Sequence, residues 1–508
     1  MTTQRVVVVG GGIAGLTAAY RLLHPADAGA EVPRVVLIDS AERLGGKILS
    51  TPFEGRFVDE GADAFLLRVP WAIELCDELG ISAERISPAV GGASVAHPAA
   101  RGTQLTPLPD GLVGGVPTRL GPLLRSPLLG RADTLRAAAD YVLPRWFTIT
   151  RPLGPDGIDV VTEGERDELG SWLSSASVGD IVRARLGAAV AAQVVDPLLG
   201  SISAGDINRL DAATSAPILG QALERSRSLM RGLRQMQPAP AADGAAPAPI
   251  FGSFDVGMGR LVQALTERLD GCILRLGTPV EAIRHPATRF AVDTGSEVHD
   301  ADAVVIAAPA HAAAQMLPAA PHAAAALGLI KYASVAVVTL SVRADAIEAP
   351  NEAGFLVTRN VGWLTTACSY GSAKWPNWCG VGSNPNIVLR VSVGRDDDDR
   401  HTRLDDAELR DTVLAELSSL PPLRGLSDPD AVAEWRVSRW LHSLPQYRPG
   451  HGHLVDRVEE ALAREMPGVF VTGAAYRGLG IPACIRQGNE AAEKARAHLA
   501  SASTPASP

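Results

Sequence analysis

Six residues near the start of the chain, Gly10-Gly11-Gly12-Ile13-Ala14-Gly15, have the G-x-G-x-x-G spacing of a phosphate-binding turn. Gly10 suits a tight turn, Gly12 lets the main chain approach a pyrophosphate, and Gly15 lets a helix lie close on a strand. Ile13 and Ala14 complete that turn, and the N-terminus of the helix that follows offers free N–H groups and the positive end of a dipole. Asp39 follows about 24 residues after Gly15, where an acid bonds the ribose hydroxyls of a dinucleotide. A lone glycine motif is weak evidence. Here it stands between an apolar run and a helical stretch, with its acid in place, so the chemistry is that of a bound dinucleotide.

The elements that must position these groups are readable around them. Val6-Val7-Val8-Val9 is a short buried strand, residues 16–23 a helix, and Val35-Val36-Leu37-Ile38 a second strand that ends in Asp39. Further pieces of the same pattern lie far along the chain. Residues 261–269 read as a helix, 273–276 and 303–307 as strands, 469–473 as a strand, and 485–499 as a helix. Residues 113–203 carry helical patterns, and 316–459 look strand-rich. The expectation is an α/β fold with a doubly wound, Rossmann-like nucleotide domain assembled from discontinuous segments, a mixed α+β substrate domain and a helical insertion. The expected boundaries are 1–85, 251–315 and 460–500 for the nucleotide domain; 86–112, 204–250 and 316–459 for the substrate domain; and 113–203 for the insertion. Residues 237–249, rich in Ala and Pro, read as a mobile loop, and 501–508 as a disordered tail. The acids at 396–399 read as a solvated turn.

Composition narrows the class. The chain has 508 residues, 46% hydrophobic and 20% charged, ordinary values for a soluble globular protein of two or three domains. A net charge of −9 argues against nucleic acid as a partner. Five cysteines, scattered and without a C-x-x-C pair, fit a reducing compartment and suggest no metal site. The N-terminus lacks a basic n-region and a cleavage site, so a cytoplasmic location is expected. Between Asp110 and Asp133 there is no acid, while Arg119, Arg125 and Arg131 punctuate a Leu/Pro/Gly-rich stretch. That stretch reads either as a peripheral membrane contact or as a basic loop over the protein's own core.

Asp39-Ser40-Ala41-Glu42-Arg43-Leu44-Gly45-Gly46-Lys47 resembles the acid-x-x-x-Arg-x-Gly-Gly-Arg/Lys element of the amine-oxidase-like flavoproteins. That resemblance makes the dinucleotide FAD and implies that Ser40, Arg43, Gly46 and Lys47 line its diphosphate. Later motifs resemble the oxygen-dependent porphyrinogen oxidases across nearly the whole chain. They are Glu60-Gly61-Ala62-Asp63-Ala64-Phe65, Leu105-Thr106-Pro107-Leu108-Pro109-Asp110-Gly111, residues 196–206, Lys374-Trp375-Pro376, Leu444-Pro445-Gln446-Tyr447 and Gly478-Leu479-Gly480-Ile481-Pro482. Gly473-Ala474 departs from the Gly-Asp pair that many flavoproteins carry near their last strand.

The resemblance implies a six-electron oxidation of a porphyrinogen by non-covalent FAD, with O2 as acceptor, hydrogen peroxide as by-product, and delivery of the product to a heme-pathway ferrochelatase. It favours coproporphyrinogen III over protoporphyrinogen IX. No side chain is expected to be catalytic, because the flavin carries the hydride transfer. Gly61, Ala62, Asp63, Val280, Gly473, Gly480, Ile481 and Pro482 are implied cofactor contacts. Arg68 is the candidate for a substrate propionate, and Leu356 and Trp375 for the faces of the macrocycle. An amine oxidase, a carotenoid desaturase or a non-catalytic prenyl-GTPase escort protein shares the fold and stays open as an alternative.

Overall fold

β-Branched side chains pack well on a pleated surface and favour strands that are covered on both faces. The valine run accordingly forms the buried strand Arg5–Val9 at the centre of a five-stranded sheet. In a computed structural model of the chain, which describes residues 4–27, 29–100, 102–144, 175–237, 249–285, 289–348, 350–379 and 386–503, the order across this sheet is Ile273–Arg275, Arg34–Ile38, Arg5–Val9, Ala303–Ile306, Val469–Val471. All four pairings are parallel, with Val8 opposite both Leu37 and Val305. One face is covered by the helices Ile13–Leu23 and Ile481–Ser503. The other is covered by Ala310–Gln315, Pro321–Gly328 and His451–Glu465. This is the doubly wound arrangement expected. The last helix starts at Ile481 rather than at residue 485, since Pro482 is well suited to a first turn, where its missing N–H has no helical partner to lose.

A second sheet of seven strands runs Val432–Gln446, Lys331–Val342, Ile387–Val393, Thr365–Tyr370, Gly354–Val357, Ser94–Ala99, Gly102–Pro107. It is antiparallel except where Gly354–Val357 pairs with Ser94–Ala99. Period-two alternation sends Phe355, Val391 and Val338 to one face, where Leu409, Val413 and Leu417 of the helix Asp406–Ser418 cover them. The opposite face meets the nucleotide-binding unit: Trp440 Nε1 donates to the Glu60 carbonyl at 3.0 Å and Ser438 Oγ to the Glu60 carboxylate at 2.7 Å.

A third unit is helical, with the helices Arg131–Ala138, Val178–Leu186, Pro217–Arg225 and Leu229–Gln235 around one apolar core. Ser177 and Asp180 form a capping box at its clearest helix start. Arg185 and Asp140, both fully buried, pair at 2.8 Å, and Ser228 Oγ and the N–H groups of Leu229 and Met230 satisfy the Asp140 carboxylate. Part of the expected loop at 237–249, part of the insertion (145–174) and the tail from 504 lie outside the described residues. The acidic run is not simply solvated. Asp396 is nearly buried and bonds Arg448 and Arg209, because it lies where the helical unit meets the large sheet. Among the described residues no helix is long and apolar enough to cross a membrane.

Candidate functional site

The glycine turn sits at the carboxyl end of the central strand, where open α/β sheets bind ligands. Its glycines do different things. Gly10 has φ +109°, and a Cβ there would lie 2.8 Å from the Ala307 carbonyl carbon. A Cβ on Gly15 would lie 1.9 Å from the Gly10 carbonyl oxygen. A Cβ on Gly12 would meet nothing within 4 Å. Gly10 and Gly15 are therefore required by the protein's own packing, whereas Gly12 keeps open space in front of the helix Ile13–Leu23. That helix has no side-chain cap on its first N–H groups, so they are free for an anion.

The second motif packs directly on this turn. The Gly45 N–H donates to the Gly11 carbonyl at 2.8 Å, and a Cβ on Gly46 would come 3.1 Å from the Gly12 Cα. Asp39 accepts from the N–H groups of Gly11 at 2.5 Å and Ala41 at 2.7 Å; each carboxylate oxygen keeps lone-pair capacity for a hydroxyl. Ser40 is exposed beside it. Arg43 turns inward and donates to the carbonyls of Gly46 and Leu44. Lys47 reaches across the cleft to the Ser443 carbonyl. Its side chain touches solvent inside the cleft but is crowded by protein, and that loss of surrounding water lowers its pKa. Val280 lies at the same sheet end with its side chain in the core, leaving only its main chain to face a ligand.

The C-terminal segment closes the cradle from the other side. Gly473 has φ +118° and lies against Ala14. Tyr447 Oη donates to the Ala474 carbonyl at 2.6 Å and accepts from the Gly478 N–H at 3.2 Å. Gln487 bonds the Arg477 N–H and the Gly478 carbonyl. The loop is thereby fixed up to the exposed Gly480, and Ile481 and Pro482 open the terminal helix. Gly61 is packed so that a Cβ would lie 2.1 Å from the Lys47 carbonyl oxygen, and its own carbonyl accepts from Arg390 at 2.5 Å. Ala62 packs beside it on the core.

Of the expected contacts, one is engaged by the protein itself and one needs correction. The Asp63 carboxylate is taken up by Lys374 at 2.8 Å, Trp375 Nε1 at 3.1 Å and Arg390 at 3.3 Å. Burial pushes its carboxyl up, but the two cations and the indole N–H outweigh that and hold it far below the usual range. The Asp63 carboxylate is a tie between two units. Trp375 is 1% exposed and packs against Phe53, Val58 and Trp378, so its ring has no free face for a macrocycle. Leu356 behaves differently: it points away from the sheet's covered face and stays partly exposed. Arg68 is exposed, with no ion pair among the described residues.

A cavity of about 200 Å³ lies where the three units meet. Leu199, Ile202 and Leu210 of the helical unit form one wall, and Pro445, Tyr447 and Gly478 to Gly480 form the other. No charged side chain lines it. Tyr447 and Ser203 belong to stretches legible as motifs, but spacing alone assigned them no role. A tyrosine directly after the Pro-Gln pair at the end of a long strand was the available signal.

A family model for flavin-containing amine oxidoreductases matches residues 13–495. The chain is 33% identical over 508 residues to coproporphyrinogen III oxidase of Mycobacterium leprae, covering 98% of this chain and 100% of that one. It is 31% identical over 503 residues to coproporphyrinogen III oxidase of Bacillus subtilis, covering 98% of both. A crystal structure from Exiguobacterium sp. 255-15, provisionally assigned as a protoporphyrinogen oxidase, superposes with a TM-score of 0.79 at 27% identity, over 98% of this chain and 99% of that one.

Proposed function

The chain belongs to the flavin-containing amine oxidoreductase family, and within it to the porphyrinogen-oxidising FAD enzymes; from that premise we propose that it converts coproporphyrinogen III to coproporphyrin III, with O2 as acceptor and hydrogen peroxide as by-product. The observation that carries the substrate choice is the end-to-end likeness to the Mycobacterium and Bacillus enzymes of that name. The glycine cradle supports FAD, because the space kept open at Gly12 adjoins uncapped helix N–H groups and Asp39. FAD held by Gly12, Gly46 and Asp39 would supply a hydride acceptor for a bridge carbon of the macrocycle, with a proton lost from a pyrrole N–H and the electrons going on to O2.

The chain's own residues bind and orient. The first turn of the helix Ile13–Leu23 holds the diphosphate with Gly12 and Gly46, and Asp39 holds the ribose. Val280 meets the adenine end with its main chain. The loop from Gly473 to Gly480, fixed by Tyr447 and Gln487, sets the terminal helix so that the positive end of its dipole faces the flavin ring. Arg68 takes a propionate, and Leu356 supplies an apolar contact. No cysteine is placed by a flavin-linkage motif, so FAD is held non-covalently, and acid precipitation should release all of it. Flavin left in the pellet would refute that point.

We place the enzyme in the cytoplasm, its product passing to a ferrochelatase. Peripheral membrane contact through Leu124 and Leu135, 66% and 72% exposed beside Arg125 and Arg131, is consistent with the helical unit's surface. The decisive experiment is aerobic turnover with both porphyrinogens, following Soret absorbance. A higher kcat/KM for coproporphyrinogen III is expected; a tenfold preference for protoporphyrinogen IX would overturn the substrate choice and leave the flavoenzyme standing.

A further inference from the structure

The cavity between the units contains hydrogen-bonding capacity that the protein does not use. Ser203 is 5% exposed and its hydroxyl oxygen has no partner among the described residues; the same is true of Ser215 Oγ. Both residues line the cavity. Behind Ser203 lies Gln446, 1% exposed, whose amide nitrogen donates to the Ser203 carbonyl at 2.7 Å while its Oε1 is left unpartnered. Ser203 Oγ and Gln446 Oε1 flank Gly205 closely: a Cβ there would lie 2.8 Å from each.

The loop that carries Ser203 is held in place by its main chain. The Ala204 carbonyl accepts from the Asp396 N–H at 2.7 Å, the Gly205 carbonyl from Arg359 at 2.5 Å, and the Gly205 N–H donates to the Gly200 carbonyl at 2.8 Å. Arg359 is itself paired with Asp196 at 3.0 Å. Ala204 has φ +50°, a conformation that costs a side-chain-bearing residue free energy and persists only when its surroundings enforce it. Thus a rigid, strained loop keeps the Ser203 hydroxyl unsatisfied, although buried polar groups are normally paired.

The lining defines the ligand that would satisfy them. It has apolar walls and no charge, so a carboxylate is disfavoured there. Its volume is below that of a pocket for a whole drug-sized ligand, and it suits one edge of a larger molecule. Its spare groups are oxygens, which match N–H donors. Resting on the porphyrinogen reading above, we propose that Ser203 Oγ and Ser215 Oγ accept hydrogen bonds from pyrrole N–H groups of the tetrapyrrole. The propionates then lie outside this cavity.

The test compares two ligands on the FAD-loaded enzyme. A porphyrinogen is flexible and can turn its N–H groups outward, whereas the planar porphyrin directs them to the centre of its ring. The double variant Ser203→Ala/Ser215→Ala should retain its FAD and raise the Kd for coproporphyrinogen III roughly tenfold, read from the concentration dependence of anaerobic flavin bleaching. Its Kd for coproporphyrin III, read by fluorescence quenching, should stay within about twofold of wild type. Unchanged affinity for both ligands, or an equal loss for both, would overturn the inference while leaving the enzyme's function intact. A wild-type flavin that coproporphyrinogen does not bleach would instead overturn the reading beneath it, and the inference with it.

Discussion

The nucleotide cradle and the cavity at the meeting of the three units solve recognition in opposite ways. The cradle is made of main chain, with glycines at set positions and one acid, and its diphosphate end is drawn from residues 10–47. The cavity is lined mostly by side chains, from segments near residues 178, 200, 212, 446 and 479. A diphosphate asks for N–H groups and close approach, which a short turn supplies in a fixed order. A macrocycle asks for walls, which only tertiary packing brings together. Recognition by main chain is therefore local in sequence, and recognition by side chains is not.

Substitutions within the cradle are the strongest way to break this contrast. Gly15→Ala drives a Cβ into the Gly10 carbonyl and should cost the apoprotein about 3 kcal/mol or more in chemical denaturation. Gly12→Ala meets open space and should cost the apoprotein no more than about 1 kcal/mol, while FAD affinity falls about a hundredfold or more. Gly11→Ala, whose Cβ would meet the tip of Leu44 at 2.6 Å and the Asp39 carboxylate at 3.1 Å, should retain more FAD than Gly12→Ala. Equal apoprotein stability for the Gly15 and Gly12 variants would show that the two glycines are not doing different things.

The tie between the nucleotide-binding unit and the seven-stranded sheet comes next. Asp63→Asn leaves Lys374 and Arg390, 19% and 8% exposed, without their shared counter-charge, and should destabilise the protein by about 3 kcal/mol. Asp59 lies just before it in the same segment. It is fully buried, with one carboxylate oxygen bonded to Ser50 and Met258 and the other unpartnered. Burial pushes its pKa up to about 6 from an ordinary 3.8, against the pull of Ser50. Between those values the native state holds a proton that the unfolded chain has released, so this contribution to stability falls as pH rises through the window and is flat above it. Asp59→Asn should remove that slope. The wild-type-minus-variant difference should change by about 2 kcal/mol between pH 4 and pH 7, and a flat difference would contradict the assignment. The smallest expected effect is on the substrate side. Arg68→Ala should raise KM about tenfold, near 1.5 kcal/mol, with FAD content unchanged; an unaltered KM would return Arg68 to the solvated surface.

What could be read in advance follows the same division. The valine strand, the glycine turn, Asp39 and the distant strands at 303–306 and 469–471 were legible because each is a local pattern with a fixed period or spacing. Trp375 was misread because a Trp beside a Pro gives no hint of which way its ring will turn. Its burial depends on Phe53, Val58 and Trp378, which come from two separate parts of the chain. The partners of the Asp63 carboxylate were hidden for a related reason, since Lys374 and Arg390 lie more than 300 residues away in sequence. Ser203 and Ser215 carry no signal at all as serines; only the packing that leaves their hydroxyls unpartnered marks them.

The parallel sheet has a consequence for how the protein is made. Its central strand, Arg5–Val9, leaves the ribosome first but pairs with Ala303–Ile306, which in turn pairs with Val469–Val471. The helix Ile13–Leu23 is covered by Ile481–Ser503, where a Cβ on Gly488 would lie only 2.5 Å from the Ala14 carbonyl oxygen. The cofactor turn therefore exists as sequence long before it exists as a site. Until those segments emerge the strand has only one of its two neighbours, Arg34–Ile38, and the helix lacks its cover, the situation in which long-range topology slows folding and invites aggregation. Flavin capture becomes an event of the completed chain, and a ribosome stalled before Val469 would carry a polypeptide that has every glycine of the motif and no place to put the cofactor.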